Sequence, residues 1–292
     1  MNNQTQLPTQ ETFYELPLVA EGNSKEVRYM GNGMVAIKLK PTVYSYTHNR
    51  AGEIAGTDDL RLRASKALLE VVAKSGVTHT YRGFNDGLIL SELVMPESTG
   101  EQYSDFIPTD LTLEQRGRLA KAAPIEVIVK RFHSGTPKHR YFGMNGTTAR
   151  QGIGIGSGQH IKDDARYPQI VTRFDWRNPM TSPSGERLAD EVLPEVMANW
   201  YIDVERASQT ARAAFGGIER ALGKVGLELW DMCFFITEDG QKIFSEISPD
   251  CMRVRSQDES LDKDVWRSGG SSELVTAKWT KFVEIVEQGK LV

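Results

Sequence analysis

The sequence predicts an α+β fold in two lobes, with antiparallel sheets flanked by helices and a cleft between the lobes. Three observations carry this reading. Two strand-like runs in Glu21–Lys40 meet at a glycine turn, an amphipathic helical stretch follows, and a second block opens with the strongly β-prone Ile125–Arg131 (IEVIVKR). The order of strands and one helix, then strands with flanking helices, separates an N-terminal lobe over 16–122 from a C-terminal lobe over 123–292, after a polar leader over 1–15.

Each element has a local cause. Gly31-Asn32-Gly33 supplies the turn of the first hairpin, since these residues take positive φ at little cost. Leu60–Ser75 places Leu60, Ala64, Ala67, Leu68, Val71 and Val72 on one helical face, and Gly76 stops it. Strands are expected in Val77–Phe84 and Leu88–Met95 around Asp86-Gly87. Pro96–Ala122, with its prolines, acids and a short charged helical stretch, reads as the passage between lobes. The stretch from Ser134 to about Glu195 reads as mostly loop. Asp203 caps a helix running to Val225, with Gly226 as its stop. Leu227–Thr237 and Gln241–Ile247 read as a hairpin around Glu238-Asp239-Gly240. Ser271–Gln288 closes the chain as a helix with Leu274, Val275, Trp279, Phe282 and Val286 facing inward.

Composition excludes several classes. A net charge of −4 argues against a nucleic-acid partner, while a small anionic substrate needs only a local basic pocket. No apolar run approaches the ~18 residues a membrane span requires. The opening MNNQTQLPTQET lacks the basic and apolar regions of an export signal, so the expected location is the cytoplasm. Cys233 and Cys251 are too few for a disulfide framework and lack zinc-ligand spacing, and the five histidines show no metal spacing. A homo-oligomer is compatible with all of this.

Four segments could carry chemistry. Gly22 with Lys25, at a strand start, can hold a phosphate through backbone N–H groups and an ammonium, but an ordinary hairpin with a solvated lysine is the favoured reading of that segment alone. The loop Ser134–Arg140 combines small hydroxyl residues, a glycine and basic side chains, which suits a phosphomonoester as well as a solvated basic loop. Glu246 and Asp250 bracket Pro249 with Arg253 behind, a pattern fit for a metal, an ammonium group or a substrate, or for structural ion pairs. Leu261–Arg267 repeats close carboxylates and bases, the usual form of a solvated face. Ile153–Gly158 lacks the strand, spacing and helix of a dinucleotide loop.

Taken in order, these segments resemble the SAICAR synthetase family. Its G-K-x-K opening is similar to Gly22-Asn23-Ser24-Lys25, and its P-[IL]-E-V-V-V-R-N…G-S…K-R run to Pro124–Arg140, where Lys130 stands for arginine. The family's D-P-M resembles Asn178-Pro179-Met180, and its G-[IL]-x-L-V-D-F-K-L-E-F-G strand resembles Gly226–Thr237. Its D-E-[IF]-S-P-D-x-x-R-L-W turn is similar to Ser245–Arg255, and D-K-D-x-[FY]-R to Asp262–Arg267.

The resemblance implies a two-lobed SAICAR-synthetase-like fold and a carbon–nitrogen ligase of purine biosynthesis. Such an enzyme uses ATP and magnesium to join a carboxylated aminoimidazole ribotide to aspartate. It implies catalytic roles for Asp250 and Arg253, and substrate contacts from Lys130, Gly135, Thr136, Arg140, Arg253 and Arg267. Nucleotide contacts fall on Gly22, Lys25 and Asp231, and a metal contact on Glu246. The departures cluster: Asn23, Cys233, Phe235 and Ser245 stand where the family has lysine, lysine, glutamate and an acid. Residues 231, 233 and 235 share one strand face, so the nucleotide–metal half has changed together. This keeps open an alternative: a divergent paralogue that binds a ribotide-like or other anion and works without ATP, or only binds.

Overall fold

The structure is a computed structural model, and it describes residues 7–45, 50–96, 106–135, 142–144, 162–178, 182–186, 188–289 and 291. Strands β1 (Leu18–Glu21), β2 (Lys25–Gly31) and β3 (Met34–Leu39) begin the N-terminal sheet. The turn between β2 and β3 has positive φ at Gly31, Asn32 and Gly33, as their residue types predict. A short antiparallel pair follows, β4 (Thr42–Ser45) and β5 (Arg50–Glu53), and then a helix over Thr57–Lys74. After β6 (Thr78–His79), strands β7 (Tyr81–Asn85) and β8 (Leu88–Glu92) complete an antiparallel five-stranded sheet in the order β1-β2-β3-β8-β7.

The second half builds on β11 (Ile125–Phe132), reached through β9 (Val94–Met95), a short helix Leu113–Gly117 and β10 (Ala120–Lys121). Next come β12 (Arg166–Trp176), β13 (Glu191–Val192), the helical turn Glu195–Ala198 and the long helix Val204–Lys224. Strands β14 (Glu228–Phe234), β15 (Lys242–Ile243), β16 (Met252–Ser256) and β17 (Glu259–Ser260) precede a turn of helix at Asp264–Arg267 and the closing helix Ser272–Gln288. The antiparallel six-stranded sheet runs β13-β12-β11-β14-β16-β17, so Ile125–Phe132 is an interior strand, as its apolar run predicts. Val127, Val129, Met232 and Phe234 turn one face of this sheet inward, where Ala211, Ala214, Phe215, Ile218 and Leu222 of the long helix are also buried. The buried apolar cluster is continuous from Val35 and Ile37 of β3 through Leu68 to Phe234 and Phe282.

Four expectations change. The loop-like region contains β12, an eleven-residue strand that alternation did not reveal because most of it is half-exposed and it carries Pro168. The hairpin expected over 227–247 is not a ladder: β14 pairs with β11 and β16, while β15 pairs in parallel with β6. The strand pairing between its two arms is a single isolated bridge, Ile236 with Ile243. Leu274 is 44 % exposed in the first turn of the closing helix rather than inward-facing. The stretch expected as a polar leader carries Phe13, fully buried against Ala36, Leu88 and Leu90.

Candidate functional site

A cavity of about 970 Å³ lies between the β1–β2 turn and the sheet face opposite the long helix. Strand alternation explains what lines it. Residues 126, 128 and 130 of β11, 173 and 175 of β12, 231 and 233 of β14, and 253 and 255 of β16 project toward the cavity, and their alternating neighbours enter the core. Polar groups therefore gather on one face of a sheet whose other face is apolar.

At one pole, register sets Lys130, Asp231 and Arg253 side by side on adjacent strands. Asp231 accepts from Lys130 Nζ, from Arg253 Nη1 at 2.8 Å and from the Ser134 hydroxyl at 3.2 Å. Arg253 Nε donates to Asp264 at 2.9 Å, which also accepts from Arg267 at 2.6 Å. Burial pushes the Asp231 carboxyl up, but Arg253 and Lys130 outweigh it and hold it far below the usual range. Burial brings Lys130 down to about 8, against the pull of Asp231. Gly135, at φ +63°, has its backbone laid on Arg253: a Cβ there would sit 2.6 Å from Nη1. The pole holds Lys130, Arg253, Arg255 and Arg267 against Asp231 and Asp264, a surplus of positive charge suited to a phosphate or carboxylate.

Thus Lys130, Gly135, Asp231, Arg253 and Arg267 are brought together. Asp231 sits at this pole as the common acceptor of Lys130, Arg253 and Ser134. Asp250 lines the same cavity and pairs with Lys263 at 3.0 Å. Thr136 and Arg140 lie outside the described residues, as do Met180 and the Ile153–Gly158 segment.

The other pole is not the solvated hairpin expected around Lys25. Lys25 is half-buried in the cavity wall, and burial lowers its pKa although Glu246 works the other way. Among the described residues no carboxylate forms an ion pair with it. The Phe235 ring has the Lys25 ammonium 5.8 Å and the Arg177 guanidinium 4.4 Å from its centroid, and it stacks on Phe244 at 5.9 Å. Gly22 does not offer a free N–H to a phosphate, because it donates to the Lys25 carbonyl at 2.9 Å and closes the β1–β2 turn.

Glu246 is likewise occupied. Arg61, from the first helix, grips both of its oxygens, Nε to Oε1 at 2.8 Å and Nη2 to Oε2 at 2.6 Å, and the Ser248 hydroxyl adds a third bond at 2.6 Å. Burial raises the Glu246 carboxyl, but Arg61 prevails and brings it to about 2. The Ser245 hydroxyl accepts from the Phe235 N–H at 3.1 Å. A divalent ion needs several free oxygen donors. Among the described residues no group of three or more His, Cys, Asp or Glu is placed to supply them. The magnesium expected at Glu246 does not fit these residues.

Between the poles lies a wall that sequence reasoning missed. Arg173 forks onto Asp175, Nε to Oδ1 at 2.7 Å and Nη2 to Oδ2 at 2.6 Å. Cys233 donates to Glu126 at 3.2 Å, and burial followed by the charge of Glu126 raises Asp190 to about 7. Arg61 carried one usable signal, a charged residue on the same helical stripe as Leu68 and Val72. Arg173, Asp175 and Asp190 carried none, because β12 was not recognised.

The chain matches the SAICAR synthetase family over residues 18–284. It belongs to that family. A bifunctional cordycepin biosynthesis cluster protein 3 from Cordyceps militaris is 28 % identical across 97 % of this chain, which spans about a third (34 %) of that longer protein. The phosphoribosylaminoimidazole-succinocarboxamide synthase of Sulfolobus acidocaldarius is 23 % identical over 92 % of this chain and 98 % of its own length. Among solved structures, a type-2 SAICAR synthetase in complex with ADP shares the fold, with a TM-score of 0.66 and 17 % identity over 92 % of this chain and 97 % of that one. No helix among the described residues is long and apolar enough to cross a membrane.

Proposed function

We propose that the chain binds a ribotide-like, phosphorylated aminoimidazole and transforms it without a divalent metal at the Phe235–Glu246 position. The observation that carries this is the contrast between the two poles. The Gly135–Arg253–Arg267 pole keeps a cation surplus and a glycine backbone packed against the guanidinium, whereas both Glu246 oxygens belong to Arg61. On this reading Arg253 and Arg267 hold the substrate phosphate, while Asp231 and Asp264 keep their guanidinium groups aimed. Lys130, already brought to about 8, can hold or release a proton beside the bound anion. Lys25 and Arg177, flanking Phe235, supply fixed positive charge at the far end. The relative named for a cordycepin biosynthesis cluster supports placing such a paralogue in a specialised pathway.

A second reading is the amide-forming ligase of the family, consuming ATP to join the ribotide carboxylate to aspartate in the cytoplasm. The ADP bound to a structural neighbour favours it, and Lys25 would then meet the nucleotide phosphates. Calorimetric titration separates the two. Binding of carboxyaminoimidazole ribotide, with no heat from ATP plus Mg²⁺, supports the first. Magnesium-dependent ATP binding overturns it in favour of the ligase, and silence toward both ligands removes the ribotide from either reading.

A further inference from the structure

Arg173 carries a buried donor that the protein does not use. Its side chain is nine-tenths buried (10 % exposed), its Nε and Nη2 are held in plane by Asp175, and Nη1 has no hydrogen-bond partner. Buried guanidinium N–H groups left unpaired are costly, and those that persist call for an explanation. Here the orphan lies on a strand residue lining the cavity, so an acceptor that reaches Nη1 gains a charge-assisted bond without breaking the Nε and Nη2 bonds to Asp175. Register places Ile128 beside Arg173, and Cys233 beside Ile128. Ile128 and Cys233 thus form a low-polarity patch beside Arg173, with Lys130 of the Arg253 pole two residues along β11 from Ile128. From β12 to β16 is three strand spacings, roughly 14 Å at the backbone, and both long side chains reach inward from its ends.

We infer that Arg173 is a specificity-determining residue: its Nη1 donates to an exocyclic oxygen, carboxylate or carboxamide, on a flat heterocycle lying over Ile128 and Cys233, with the phosphate at Arg253. This rests on the ribotide reading above and adds the feature by which the ring is recognised. A ring lacking that oxygen leaves the donor unpaired and is discriminated against, whereas phosphate binding is common to both rings.

The test compares two ribonucleotides, 5-aminoimidazole-4-carboxamide ribotide and the unsubstituted 5-aminoimidazole ribotide, by calorimetry. The variants are Arg173→Met and, because the first leaves Asp175 buried and unpaired, Arg173→Met/Asp175→Asn. Wild type is expected to prefer the carboxamide, and both variants to lose about 10- to 100-fold on it while changing less than about threefold on the unsubstituted ring. Equal losses on both probes, or none on either, overturn the assignment and leave the ribotide reading standing. If wild type binds neither probe, the assignment falls, and the carboxyaminoimidazole ribotide titration above decides whether the ribotide reading falls with it.

Discussion

Arg61 and Glu246 close on each other in the interior, guanidinium to carboxylate through two bonds of 2.8 and 2.6 Å, with the arginine side chain wholly buried. Arg61 also donates to the carbonyl of Lys40 at 2.8 Å, so the pair ties the first helix to the end of β3 and to the turn before β16. Arg61→Met leaves an uncompensated buried carboxylate and is expected to cost about 3–5 kcal/mol, read from guanidinium unfolding midpoints. Adding Glu246→Met should recover much of the loss. A single variant within 1 kcal/mol of wild type would show that the pair is not the lock described.

Acid should loosen the protein through the same groups. Glu246 and Asp231 are both more acidic folded than unfolded. Their contribution is present above the ordinary value, 4.5 for the glutamate, and is lost as pH falls toward about 2. Asp190 has the opposite sign: raised from 3.8 to about 7, it favours the folded state at low pH and loses that contribution as pH rises through 7. Denaturant midpoints across a pH series should therefore peak near about pH 4. A flat profile from pH 2.5 to 5 would contradict the acidic arm, which spans the window between the folded and unfolded values.

Gly135→Ala asks for a methyl group 2.6 Å from Arg253 Nη1, at a backbone φ of +63°. The guanidinium must move, and its bonds to Asp231 and Asp264 move with it. Affinity for a phosphorylated ribotide is expected to fall at least about tenfold, one lost charge-assisted bond, for a stability cost of about 1 kcal/mol. Unchanged affinity would separate Gly135 from the anion pole.

Both thiols should be inert in the native protein. Burial, then the charge of Glu246, pushes Cys251 up to about 12, and burial with Glu126 pushes Cys233 well above its ordinary value. Ellman's reagent at pH 8 should find neither thiol before denaturation and both free cysteines afterwards. Rapid labelling of the folded chain would mean that the cavity wall around Glu126 opens.

What could be read in advance follows how local each cause is. The Gly31–Gly33 turn, the Asp203 cap and the Ile125–Phe132 strand depend on neighbours in sequence, and all were legible. The Asp203 carboxylate accepts from the Arg206 N–H at 3.0 Å, as its position predicted. Motif order likewise grouped Lys130, Gly135, Arg253 and Arg267 as one substrate set, whereas Asp231, grouped with the nucleotide contacts, joins them through Lys130 and Arg253. Arg61 on Glu246 joins residues 185 apart, a pairing for which no local pattern gives a sign. The half-exposed β12 hid Arg173 for a related reason: on a strand with polar side chains over much of its length, period-2 alternation of hydrophobicity fades.

The parallel contact of β15 with β6 has a consequence for how the chain comes to be folded. Around it the Ile243 carbonyl accepts from the Thr80 N–H at 3.0 Å, and the Tyr81 hydroxyl donates to the Phe244 carbonyl 163 residues away. Closing so long a loop must precede any reward from the contact. During synthesis Thr78–His79 therefore has only water for its backbone donors until the segment around Ile243 has emerged, and this seam should be among the last to set.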